Sequence, residues 1–317
     1  KKKKKKKKKL SFLNTRFLNL TIYSNGAIML LRDTALQMRV SKYVNVTVNT
    51  SPDSQVMSGN IVLLFSESNR LGSNDSFFNS NSSNTSVIWI DRSLFVNSAN
   101  VFNGGVFYVE TNMESDAMMI VTNCQFAQNL AWKYGAAIGF TSTTHVSNFK
   151  KNANGFNDNV GLTTGMRLFL KNCTFVDNSL LLLPQQDGLQ TDDNSASGGG
   201  AIYVALFQNV TGDDSIFGNK NETAATWNID ESVHQICILN CTFENNRAVN
   251  INQNGGALFV KHVVNDHNLS SLNTSFSQVQ TNYHVLRVAG CRFLDNTCTE
   301  NGGAIAYSIA ETGSSFQ

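Results

Sequence analysis

Asn240-Cys-Thr-Phe-Glu-Asn-Asn246, followed after a short gap by Gly255-Gly-Ala-Leu258, decides the fold, because the chain writes this pair of motifs four times. The other copies are Cys124-Gln-Phe126 to Asn129 with Gly135-Ala-Ala-Ile138, Cys173-Thr-Phe175 to Asn178 with Gly199-Gly-Ala-Ile202, and Cys291-Arg-Phe293 to Asn296 with Gly302-Gly-Ala-Ile305. Weaker echoes stand upstream in Ser93-Leu-Phe95 with Gly104-Gly-Val-Phe107, and in Thr15-Arg-Phe17 with Asn25-Gly-Ala-Ile28. Phe95 to Phe107, Phe126 to Ile138 and Phe293 to Ile305 are each 12 residues apart, whereas Phe17 to Ile28 is 11, Phe243 to Leu258 is 15 and Phe175 to Ile202 is 27. A fixed cross-section that swells at one point in some copies is the mark of a solenoid with loop excursions.

Within a copy the residues alternate. In Asn240-Cys241-Thr242-Phe243 a period of two sends Cys and Phe to one face and Asn and Thr to the other, so the segment is a strand. The paired glycines permit positive φ and close backbone approach at one corner. Asn suits another corner, since its side chain bonds to nearby backbone and tolerates the left-handed region. Strand, Asn corner, Gly corner and strand make one coil of a parallel β-helix. Coils would stack ~4.8 Å apart, with equivalent residues one above another. Phe126, Phe175, Phe243 and Phe293 then form an aromatic column. Asn129, Asn178, Asn246 and Asn296 form an amide ladder, read as corner stabilisation over ion or sugar binding. The expected class is all-β: a right-handed parallel β-helix with long loop insertions.

Phe-x-x-Asn beside Gly-Gly-Ala-Ile resembles the repeat of the polymorphic outer membrane proteins, surface adhesins of chlamydiae, over about residues 90–310. The resemblance implies a right-handed β-helix in an exported surface protein with adhesive or structural roles. It does not extend to an autotransporter barrel, which the sequence does not contain.

Lys1 to Lys9 is an unbroken homopolymer, read as an artefact or an unassigned tail outside the fold. Without those nine, 16 of the 25 basic residues remain against 23 acidic ones, a net of −7 in place of +2. No basic stretch with interleaved aromatics is visible, which argues against nucleic acid. No apolar run approaches the ~18–20 residues of a membrane span. No signal peptide is read, because Leu10 to Leu20 is interrupted by Asn14, Arg16 and Asn19. Residues 10–317 are expected to form a single β-helix domain with an insertion at 31–87, in which Val44–Val48 and Ile61–Phe65 are candidate unmarked strands. Neither end has a polar cap, so the domain is expected to belong to a longer chain or an assembly.

Twelve Asn-x-Ser/Thr sequons occur: Asn19, Asn45, Asn49, Asn74, Asn81, Asn84, Asn172, Asn209, Asn221, Asn240, Asn268 and Asn273. Most fall in the excursions, and Asn172 and Asn240 precede an inward Cys, so alternation points them at solvent. Cys124, Cys173, Cys241 and Cys291 share one repeat position and form either disulfides between neighbouring coils or a column of small buried thiols. Cys237 is expected on the strand face of Cys241, and Cys298 lies just past an Asn corner, so all six are possible disulfide partners. No Cys or His spacing suits zinc, and His262 and His267 are expected in solvent.

A pectin-lyase-type polysaccharide lyase or hydrolase is the alternative. It would need two carboxylates across a groove, for which Asp192-Asp193 and Asp213-Asp214 are the candidates. Polygalacturonases resemble the second pair only, since their Asn-Thr-Asp, Gly-His-Gly and Arg-Ile-Lys elements are absent. The expectation is therefore a non-catalytic, cofactor-free extracellular or cell-surface glycoprotein. Its partners are expected to be N-glycans and either further copies of itself or neighbouring β-rich subunits, joined end to end as a filament through open coil edges.

Overall fold

A computed structural model describes residues 8–23, 29–32, 34–49, 60–65, 86–100, 104–111, 117–132, 134–147, 166–180, 197–211, 236–249, 253–266 and 286–312. Among them there is no helix, and the strand pairs run parallel. The chain visits three sheets in turn and does so seven times. Sheet one takes Lys8–Leu13, Thr34–Arg39, Ser86–Asp91, Ala117–Thr122, Met166–Lys171, Ile236–Leu239 and Leu286–Ala289, in that spatial order. Sheet two begins with Arg16–Tyr23 and Lys42–Asn49 and ends with Arg292–Leu294 and Thr297–Cys298. Sheet three runs from Met29–Arg32 to Ile305–Thr312.

Each boundary between sheets one and two is a single residue in the left-handed region. Asn14, Val40, Arg92, Asn123, Asn172, Asn240 and Gly290 hold that place, with φ between 48° and 65°. A second bend, within sheet two, falls at Asn19, Asn45, Asn97, Gln128, Asp177, Asn245 and Asp295, φ 49° to 55°. The left-handed residue therefore immediately precedes the motif Asn; it is not the motif Asn itself. Asn, Asp and Gly enter this region at least cost, which explains their recurrence. The third corner is the glycine pair. Gly199 has φ 73°, and a Cβ on Gly256 would lie 2.0 Å from the carbonyl oxygen of Gly303 in the next round.

The rounds are in register, so like residues stack. Phe126–Phe175, Phe175–Phe243 and Phe243–Phe293 have ring centroids 4.9, 4.8 and 4.9 Å apart and are stacked parallel to within 4°. That spacing is the interstrand repeat of ~4.8 Å, so backbone pairing and ring stacking are satisfied by one geometry. Met29, Ile61, Phe107, Ile138, Ile202 and Leu258, ending in Ile305, form the aliphatic column. Met29 holds the place expected for Ile28, which lies outside the described residues, and this restores the 12-residue spacing from Phe17.

Two boundaries differ from expectation. Residues 31–87 contain regular strands: Tyr43 pairs with Phe17 and Phe95, and Ile61 with Phe107. Tyr43 in place of Phe, and Asn60 in place of the motif alanine, hide this round from a motif reading. The first strand also begins at Lys8, whose backbone pairs with Thr34, two residues before Leu10.

Three of the four motif asparagines, Asn129, Asn178 and Asn246, are buried and bonded from round to round, and Asn296 at the outermost round is partly exposed. Asn178 donates from Nδ2 to Asn246 Oδ1 at 2.9 Å and to the Phe126 carbonyl at 3.1 Å, while its Oδ1 accepts from Asn129 Nδ2 at 2.9 Å and from the Asn129 backbone N–H at 3.2 Å. Removing it strands several buried partners at once, each worth about 1–3 kcal/mol. Asn178→Ala should destabilise the fold by at least ~3 kcal/mol in urea unfolding. The opposite case is Tyr43, fully buried with no partner for its hydroxyl. Its ring sits 6.1 Å from Phe95 and is tilted by 44°, outside the tight stack. Tyr43→Phe should raise stability by about 1 kcal/mol in the same assay, because a desolvated hydroxyl is exchanged for none.

Candidate functional site: outer corners and faces

The inward surface leaves little room for chemistry, and its cysteines illustrate why. One column reads Thr15, Ser41, Ser93, Cys124, Cys173, Cys241 and Cys291. Each side chain donates to the carbonyl two residues back: Thr15 to Leu13 at 3.3 Å, Ser93 to Asp91 at 3.0 Å, Cys124 to Thr122 at 3.1 Å and Cys241 to Leu239 at 3.3 Å. Thiol and hydroxyl do the same work here, which is to tie the corner. All six cysteines are free thiols, so no disulfide joins the candidate partners. The hydrogen bond with Cys124, aided by burial, pushes the Cys173 thiol up to about 12. A thiol so shifted stays protonated and unreactive at neutral pH. Cys237 does not share the face of Cys241: Asn240 turns the chain between them, and Ile236 and Ile238 fill the core on either side of it. Cys298 packs in a small separate cluster with Ala131, Ala136, Leu180 and Ala248.

The described sequons with visible side chains sit on the outer corners. Asn19, Asn45, Asn172 and Asn240 are exposed and left-handed. Asn172 and Asn240 stand on bends, not on the strand where alternation would place them, and Asn19 and Asn45 mark bends within the strands Arg16–Tyr23 and Lys42–Asn49. Asn45 donates to Asn19 at 2.8 Å and Asn97 to Asn45 at 2.8 Å, an exposed amide ladder parallel to the buried one. Asn172 donates to Asn123 at 3.2 Å, and Asn240 Oδ1 fills the place that a Cβ on Gly290 would take. Asn49 ends a strand of sheet two, and Asn209 lies within the strand Ile202–Thr211 of sheet three. Asn74, Asn81, Asn84, Asn221, Asn268 and Asn273 lie outside the described residues, as do Asp192, Asp193, Asp213 and Asp214.

His262 is buried on the strand Leu258–Asp266, contrary to the expectation of a solvated ring, and its Nδ1 is 3.2 Å from the Tyr307 hydroxyl. Burial lowers its pKa, so the neutral ring is the folded form. Glu110 accepts from the Tyr108 hydroxyl at 3.3 Å, and desolvation raises its carboxyl above the ordinary range. Among the described residues no three His, Cys, Asp or Glu gather where they could hold a metal. None of the described helices is long and apolar enough to cross a membrane, there being none at all.

The strongest polar cluster on the outside surrounds Asp91. Thr122 Oγ1 and Asn123 Nδ2 donate to its Oδ1 at 2.8 and 3.0 Å, and Arg92 and Arg39 approach Oδ2 at 3.5 and 3.8 Å. Burial works against this carboxylate, but the two hydrogen bonds and the two guanidinium charges outweigh it and hold its pKa down. Arg39 also lies 5.3 Å over the Trp89 ring.

Scans with protein-family models and searches of curated proteins and of solved structures return no match to this chain. The resemblance carried by the repeated motif is therefore one of motif alone.

A depressed carboxylate stabilises the fold above its unfolded pKa, and that contribution is lost as pH falls through the folded value. Stability should thus decline between about pH 4 and lower pH in part through Asp91. The Asp91→Asn variant should show a shallower decline than the parent in urea titrations across that window.

Proposed function

We propose that the chain is the right-handed parallel β-helical part of an extracellular structural or adhesive glycoprotein, a rod that stacks end to end and catalyses nothing. The observation that carries this reading is the division of labour between inside and outside. Inward columns repeat the same few residue types, with amides and thiols bonded round to round. A column that is saturated in every round builds length and stiffness and offers no reacting group. Four sequons occupy exposed outer bends, where a glycan can be carried without disturbing a strand. A glycosylated amide keeps one N–H, so the Asn172 bond to Asn123 survives the modification.

The end-to-end part rests on the outermost round. Phe293, Cys291 and Ile305 are only partly buried, whereas Phe243, Cys241 and Leu258 one round inward are fully so. Leu294 and Tyr307 expose 37% and 42% of their surface. Among the described residues no strand pairs with the outer edges of Leu286–Ala289, Arg292–Leu294 and Ile305–Thr312, and a further β-round would cover them. A heterologous contact of this kind propagates without closing. The enzyme alternative draws its candidate carboxylates from sequence alone and has no measured geometry in its favour.

Glycopeptide mass spectrometry on the protein from a secreting eukaryotic host, with electron microscopy of the same sample, tests both parts. Glycans on Asn172 and Asn240, together with rods that lengthen as concentration rises, are expected. Unmodified asparagines at all four bends would remove the glycoprotein reading, and particles of one fixed length at every concentration would remove the stacking.

A further inference from the structure

The outer face of sheet one gathers residues that the sequence scatters. Register places Gln37, Trp89, Ile120, Phe169, Cys237 and Arg287 in one outward row across successive rounds. Cations flank that row. Arg39 and Lys171 share the neighbouring row on one side, Arg167 stands on the other, and Arg92 occupies the adjoining bend. Trp89 is 39% exposed, and Lys171, Arg92 and Arg287 are exposed as well. Among the described residues the seven strands of this sheet hold one acid, Asp91, and its carboxylate is already engaged by Arg39, Arg92, Thr122 and Asn123.

This local charge runs against the whole chain, which is net acidic once the leading lysines are set aside. The cations recur along the stack axis at intervals of roughly 5–15 Å, one to three rounds of ~4.8 Å. A linear anion laid along the row would meet them in turn. The ring and the guanidinium of Trp89 and Arg39 present an apolar face and a positive charge at one spot. That combination suits a sugar ring, whose C–H face packs on an indole while its acidic substituent pairs with arginine. A single-stranded nucleic acid would need several open rings in series for its bases. Here Ile120 and Cys237 interrupt the row and Phe169 is half-buried, so only one ring lies open.

We infer that the outer face of sheet one is a docking surface for an acidic polysaccharide, a sulfated or uronate-bearing chain lying along the stack and anchored by Trp89, Arg39, Lys171 and Arg287. The choice of polymer rests on the extracellular reading; the charged aromatic face does not.

The test uses the full chain with Lys1 to Lys7 replaced by serine, so that the leading homopolymer does not bind the probe, and a heparin oligosaccharide as that probe. Calorimetry should detect binding that weakens steeply with salt. The pair Lys171→Glu and Arg287→Glu should lower affinity about tenfold or more, and Trp89→Ala should lower it too, while Arg16→Glu with Arg292→Glu on sheet two should change it by less than about twofold. Absence of binding by the parent, or equal loss in the sheet-two pair, overturns the inference. Tighter binding of single-stranded DNA of matched length overturns the choice of polymer. Because affinity is read on glycosylated and enzymatically deglycosylated protein alike, its outcome is separate from whether the bends carry glycans.

Discussion

Everything inside this protein depends on the spacing at which one parallel strand hydrogen-bonds to the next. Backbone pairing fixes the rounds ~4.8 Å apart, and a side chain belongs in the core only if it interacts well with its own kind at that distance. Phenyl rings do, by stacking. Primary amides do, because each has two donors and an acceptor with two lone pairs, enough to reach the rung on either side and a carbonyl besides. Asn178 uses all of these within the buried ladder. Thiols and hydroxyls do so by bonding locally to the bend they occupy. The repeated motif is thus the short set of side chains compatible with one repeat distance.

The same constraint says where variation is tolerated. The bends need a residue able to adopt positive φ, and the outward positions need only fit a pleated surface. Asn, Asp, Gln, Gly, Arg and even Val occupy the bends. Val40, with φ 52°, pays for this in strain, since a β-branched residue is rarely left-handed. Segments of very different length separate successive strands without disturbing the register on either side.

Much of this architecture was legible in the sequence. Phe126, Asn129 and Ile138 announced their columns because the motif and the in-register pairing are the same regularity seen twice. Four things escaped. The round built on Tyr43 and Ile61 shows its strands at Val44–Val48 and Ile61–Phe65 but looks like an insertion, because Tyr43 for Phe and Asn60 for Ala break the written motif while leaving the pairing intact. Thr15, Ser41 and Ser93 share a column with four cysteines, and the common hydrogen bond to the carbonyl two residues back, which no sequence shows, identifies the cysteines as bend ties. The basic aromatic face was invisible because its members lie tens of residues apart along the chain, and no local window contains two of its cations beside its exposed ring. His262, expected in solvent because it follows the motif in an excursion, is buried because the strand Leu258–Asp266 continues past the length of the motif.

The in-register stack is tested most directly by a distance between two rounds that are far apart in sequence. Gln125 and Arg292 are exposed, outward and in one row of sheet two, three rounds apart and 167 residues apart along the chain. Spin labels introduced there as unnatural amino acids, leaving the native thiols untouched, allow the separation to be read by pulsed electron paramagnetic resonance. The stack predicts a single narrow distribution centred near ~14 Å, broadened only by the label arms. A broad distribution extending beyond about 30 Å would contradict it.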